Sequence, residues 1–186
     1  MDELGLTPER LMGRRVLIVG EVGAGKTRLT ALALASFLAT YPGYEGTVIE
    51  MAPSRIQGLG TPLGAYMALP STVRLLTARP IRAPRIEGRS GAEVLELARL
   101  NARRLRPLLL AYLRRPTPLL AINDLSLYLQ AGSPGLMNRA IMSAETFLGN
   151  AYYGSSLEED KGSGISLRER KAVEALLGLM DRIIRL

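Results

Sequence analysis

Apolar residues along this chain fall into short unbroken runs separated by longer mixed stretches. Val16-Leu17-Ile18-Val19 is such a run, closed by glycine, and the lack of polar alternation predicts a strand buried on both faces of a parallel sheet. Gly46–Met51 and Leu119–Ile122 repeat the pattern, ending at Glu50 and at Asn123-Asp124, and Thr146–Ala151 predicts a fourth strand. Between them the period changes. Lys26–Thr40 is rich in Ala and Leu and is closed by Tyr41-Pro42-Gly43, which predicts a helix. Ser90 and Glu93 have capping-box spacing before a long helix to about Arg115, with a bend expected at Pro107. A shorter helix is expected around Leu136–Ala144. Ser166 with Glu169 reads as a second capping box opening the last helix, and Arg182–Leu186 reads as an edge strand.

Strands alternating with helices predict one α/β domain over residues 1–186, with a mostly parallel sheet whose strand ends gather at one ligand-binding edge. Residues 54–89 interrupt this order. They hold many Gly and Pro without sustained periodicity, which predicts a switch- or lid-like segment. Residues 154–165 read as a polar loop.

The loop after the first strand carries the sharpest chemistry. Gly20-Glu21-Val22-Gly23-Ala24-Gly25-Lys26-Thr27 fits G-x-x-x-x-G-K-[ST] and stands between a strand and a helix, the context the motif requires. Glycines let successive amides point inward as an anion nest, and the helix that follows adds the positive end of its dipole. Lys26 is expected to reach the β- and γ-phosphates, the Thr27 hydroxyl to ligate magnesium, and Arg28 to complete the nucleotide-binding set. Asp124, after an apolar strand, is the expected second oxygen on magnesium, or else caps the next turn. Glu50 is a carboxylate at the same edge, either on the metal and its water or structural. Asn150 and the tyrosines Tyr152 and Tyr153 could hold a nucleotide base or could be core residues. Arg55, Arg82, Arg85 and Arg89 read either as an arginine lid or as a solvated loop. Arg99, Arg103 and Arg106 form a basic stripe on the long helix; without interleaved aromatics it gives nucleic acid no support over a solvated face.

The stretch VLIVGEVGAGKTRLTALALASFL resembles the P-loop NTPases, and within them the accessory GTPases of urease and hydrogenase maturation. The resemblance implies a three-layer P-loop NTPase fold. In it Gly20, Gly23, Gly25, Lys26 and Thr27 hold phosphate and magnesium, Asp124 is the Walker B aspartate and Glu50 is the switch carboxylate. The likeness to those accessory GTPases covers only the first quarter of the chain. N-K-x-D is missing, so ATP is expected over GTP. Asp124 is followed by leucine rather than a catalytic glutamate, and there is no LSGGQ.

Composition narrows the chemistry further. The 186 residues contain neither Cys nor His, which removes thiol and imidazole nucleophiles and most zinc, nickel or iron sites, nickel delivery among them. The net charge is +7, and all 24 basic residues but Lys26, Lys161 and Lys171 are arginine. That suits polyanionic ligands, and it equally suits a GC-rich, thermophilic genome. With no membrane-length apolar run and no basic-then-apolar leader in MDELGLTPERLMGRR, a cytoplasmic protein is expected. The expected function is a magnesium-dependent nucleotide switch working with a protein partner or a second copy. The competing reading is a small-molecule or nucleotide kinase with residues 54–89 as acceptor site and lid.

Overall fold

A computed structural model describes residues 5–53 and 61–186. Its order is α1 (Pro8–Leu11), β1 (Arg15–Gly20), α2 (Lys26–Thr40), β2 (Gly46–Glu50), a 3-10 turn (Leu63–Ala65), β3 (Val73–Thr77), α3 (Pro84–Glu87), α4 (Gly91–Arg114), β4 (Leu119–Asn123), α5 (Ser126–Leu129), α6 (Pro134–Met142), β5 (Thr146–Tyr152), α7 (Ile165–Leu177) and β6 (Arg182–Arg185). The six strands form one all-parallel sheet in the order β3-β2-β4-β5-β1-β6.

The unbroken apolar runs have a direct consequence: each central strand buries both faces. Leu17, Val19, Ile49, Leu120, Ile122 and Phe147 pack beneath α4, α5, α6 and α7. Val16, Ile18, Val48, Ala121 and Leu148 pack beneath α1 and α2. This is a three-layer α/β architecture around an all-parallel sheet, the fold class expected from the sequence. No helix among the described residues is long and apolar enough to cross a membrane.

Three local expectations change. Residues 54–89 are less irregular than they read, because Val73–Thr77 pairs with β2 as an edge strand. Residues 54–60, Arg55 among them, lie outside the described residues. Helix α4 begins at the Ser90 cap, whose hydroxyl accepts the Glu93 amide at 3.3 Å, and runs through Pro107. The Glu93 carboxylate, however, accepts from the Arg89 amide at 2.8 Å, one residue before the position a capping box would use. The second box is absent. Gly164 is the N-cap of α7, so Ser166 is already inside the first turn, and the Asp160 carboxylate accepts its amide at 2.9 Å. Glu169 turns inward to Arg85 and Gln130, because a buried guanidinium is a stronger partner for it than an exposed amide.

Candidate functional site

Register places Glu50 beside Asn123 and Gly20 beside Tyr152, so β2, β4, β5 and β1 all end at one edge of the sheet. The loop from Gly20 to Lys26 crosses this edge. Gly23 and Gly25 sit at φ 77° and 86°, left-handed values that glycine adopts without steric cost. Gly25 is the N-cap of α2 and has no side chain to offer the first turn. Among the described residues, the amides of Gly23, Gly25, Lys26, Thr27 and Arg28 therefore have no hydrogen-bond acceptor, the first paired helical amide being Leu29 at 2.9 Å from the Gly25 carbonyl. Five unsatisfied donors at the positive end of a helix make an anion site.

Lys26 lies across this loop. Its Nζ donates to the carbonyls of Gly20, at 3.0 Å, and of Glu21. Burial pushes its pKa down against the pull of Asp124 and Glu21, which leaves a desolvated cation with only neutral acceptors in contact. Glu21 points away to the loop after β5, where it accepts from the amides and hydroxyls of Ser155 and Ser156. Those bonds pull its pKa down to about 2. This second residue of the motif ties the Gly20–Lys26 loop to residues 155–156.

Asp124 follows β4 at φ 55°, a left-handed value that aspartate tolerates better than most residues. Two bonds from Asn150 hold that turn: the side-chain oxygen accepts the Asp124 amide at 2.9 Å, and the backbone carbonyl accepts the Leu125 amide at 3.0 Å. Asp124 Oδ1 accepts from the Ser126 hydroxyl at 2.8 Å, while Oδ2 has no partner among the described residues. Burial pushes its pKa up, against Ser126, Lys26 and Arg85. The Thr27 hydroxyl is likewise unpartnered among the described residues and lines the same cavity as Asp124. These two oxygens suit a hard cation arriving with phosphate and water, since no cluster of three or more acidic, His or Cys residues is placed to hold a metal unaided among the described residues.

Asn150 does not stand free to read a base. Its Nδ2 donates to Thr30 Oγ1 at 2.9 Å and to Asn123 Oδ1 at 2.8 Å. Asn123 in turn donates to Glu50 Oε1 at 2.6 Å. Glu50 also accepts from the amides of Ala52 at 3.0 Å and Leu63 at 2.9 Å. A buried polar chain thus runs from the start of α2, where Thr30 donates to the Lys26 carbonyl at 2.8 Å, across β5, β4 and β2 to the 3-10 turn. Burial pushes the Glu50 pKa up despite its three donors. Glu50→Gln would turn an NH2 toward donors and leave one unpaired. The expected loss is about 1–3 kcal/mol of stability, measured by urea unfolding; an unchanged midpoint would mean the carboxylate is free.

A cavity of about 290 Å³ opens above the loop, lined on one side by Val22, Gly23, Gly25, Lys26, Thr27 and Arg28. Gly20, Glu21 and Ala24 do not line it, and Glu50 faces a neighbouring cavity with Thr61 and Tyr66. The far wall is made by Arg85, Gln130 and Glu169. Arg85 belongs neither to a mobile lid nor to a solvated loop. Its side chain is 7% exposed, paired with Glu169, bonded to Ser166 Oγ at 3.0 Å, and set over the Tyr152 ring at 5.7 Å. Arg82 pairs with Glu87. Tyr153 is half-buried beneath Arg170 and Arg185. Arg99, Arg103 and Arg106 lie on an exposed face, Arg103 paired with Glu96 at 2.8 Å.

Four participants were not identified from the sequence. Thr30, Asn123 and Gln130 carried no motif, although an Asn directly before a strand-end Asp was a usable hint. Glu169 has the spacing of a helix cap behind Ser166.

No protein-family model and no curated protein sequence matches the chain. Among solved structures, the crystal structure of flagellar accessory protein FlaH from Methanocaldococcus jannaschii is similar. It has 12% sequence identity and a TM-score of 0.45, and the match covers 94% of this chain and 71% of that one.

Proposed function

We propose that this chain binds a magnesium–nucleoside triphosphate on the Gly20–Thr27 loop and acts as a regulatory or accessory NTPase switch in the cytoplasm. The observation that carries the reading is the row of five acceptor-free amides beside a desolvated Lys26. Thr27 and Asp124 are the magnesium-side oxygens. ATP is favoured over GTP, because no N-K-x-D is present and Asn150, the asparagine considered for a base contact, is spent inside the protein. Nickel delivery, the task of the accessory GTPases that the loop resembles, is not part of the reading in a chain without Cys or His.

Hydrolysis by this chain alone is expected to be slow. Glu50, able to orient a water, is held by three donors, and Arg85, able to answer phosphate charge, is paired with Glu169. A protein partner or a second copy that moves either group would accelerate turnover. The second reading, a small-molecule or nucleotide kinase, is favoured by one observation: the cavity continues past Lys26 to the Arg85–Gln130–Glu169 wall.

The test is titration of a fluorescent ATP analogue with and without magnesium. Asp124→Asn keeps shape and removes charge, so it should weaken binding by about tenfold with magnesium and far less without it. Equal losses in both conditions would reduce Asp124 to a cap.

A further inference from the structure

The far wall of the cavity contains a polar atom that the protein leaves without a partner. Gln130 is 1% exposed, and its Nε2 donates to Glu169 Oε1 at 3.2 Å. Among the described residues its Oε1 has no hydrogen-bond partner. Turning the amide over would not repair this, since Oε1 would then face a carboxylate oxygen. Buried side-chain oxygens are almost always paired, so an orphan on a cavity wall marks a place where something else supplies the hydrogen.

The neighbours define what that is. Both Glu169 oxygens are used, one by Gln130 and the other by Arg85. Arg85 is fixed by Glu169, Ser166 and the Tyr152 ring. The pair is neutral as a unit and rigid, and beside it Gln130 Oε1 is the buried acceptor that this wall leaves open. Leu127, Ile86 and Leu157 give the surrounding lining an apolar character that fits a short carbon skeleton. Tyr152 joins the two halves, its ring 6.0 Å from Lys26 Nζ on one side and 5.7 Å from Arg85 Cζ on the other.

We propose that Gln130, with the Arg85–Glu169 pair behind it, forms a subsite for a second, small ligand that presents a hydroxyl or amine hydrogen to Gln130 Oε1 beside the phosphate loop. The inference rests on the nucleotide reading above and adds to it the chemical class of a co-ligand. It is also the subsite a phosphoryl acceptor would need.

The experiment uses the whole chain, saturated with magnesium and a non-hydrolysable ATP analogue whose binding is measured separately. Glycerol, carrying only hydroxyls, and methylammonium, carrying only an amine, serve as probes in saturation-transfer NMR. Transfer to at least one probe is expected, falling about fivefold in Gln130→Leu, the effect of one lost hydrogen bond. Nucleotide affinity should stay unchanged. Ile86→Trp, which fills the cavity from a half-buried position, should abolish the transfer and decides the matter if Gln130→Leu does not fold. The responding probe identifies the donor. Absence of transfer from both probes while the nucleotide is bound, or transfer unchanged in a folded Gln130→Leu or in Ile86→Trp, overturns the subsite and leaves the nucleotide reading standing. Failure of the nucleotide itself to bind refutes that reading instead.

Discussion

Lys26→Met lowers triphosphate affinity by about 10- to 100-fold without lowering the stability of the protein. The first half follows from what the ammonium touches. Its partners are the carbonyls of Gly20 and Glu21, neutral acceptors that a phosphate oxygen outcompetes as a charge-assisted partner. The second half follows from its titration. Burial lowers the Lys26 pKa, so the charged form is less favourable in the folded chain than in the unfolded one. Removing that charge relieves a cost at neutral pH, and methionine keeps the hydrocarbon stem that packs beside the loop. Calorimetric titration with ATP, set against urea unfolding of the same variant, separates the two effects. Undiminished affinity would show that the five free amides of the loop bind phosphate without the lysine, or that phosphate binds elsewhere.

The central strands read correctly from the sequence because their signal is local and their environment is symmetric. β1, β2, β4 and β5 are buried on both sides, so their apolar runs need no knowledge of the partner strand. The loop after β1 carries its own glycines, and α2 begins at Lys26 and ends at Thr40 as its composition indicates. β3 is different. As an edge strand with Arg74 inside it and Leu75 half-exposed, it has little to distinguish it from the Gly- and Pro-rich residues around it. The site is legible only in part, for a related reason. Asp124 can be located from its strand, but the bond that sets its turn comes from Asn150, 26 residues on. Asn150 read as a base contact because an amide at a strand end has the same local context in either role. Glu169 read as a cap because Ser166 stands three residues before it, whereas its actual partner, Arg85, is 84 residues away. Local motifs settle local bonds, and a buried charge overrides them when a counter-charge is in reach.

That counter-charge is the basis of the second large effect. Arg85→Met is expected to destabilise the protein by roughly 3–5 kcal/mol, because it leaves Glu169 buried without its cation. The Glu169 side chain is 3% exposed and the Arg85 side chain 7%, so solvent does little to screen the loss. The pair also fastens α3, only four residues long, to the start of α7 through Ser166. Glu169→Met in the same chain should recover much of the deficit, since two apolar side chains of similar length can fill the volume without a desolvated charge. The pH dependence has a definite direction. Burial already raises the Glu169 pKa above its ordinary 4.5, and losing Arg85 raises it further. A carboxyl group that binds its proton more tightly in the folded state than in the unfolded one loses stability as pH rises through the interval between the two values. The Arg85→Met deficit should therefore be smaller at about pH 5 than at about pH 8, and the double variant should lack that slope. Urea unfolding of the four proteins at both pH values measures it. A deficit below about 1 kcal/mol, flat with pH, would place the pair in the class of solvent-screened bridges. The far wall of the cavity would then lack the rigidity that holds Gln130 Oε1 toward a ligand.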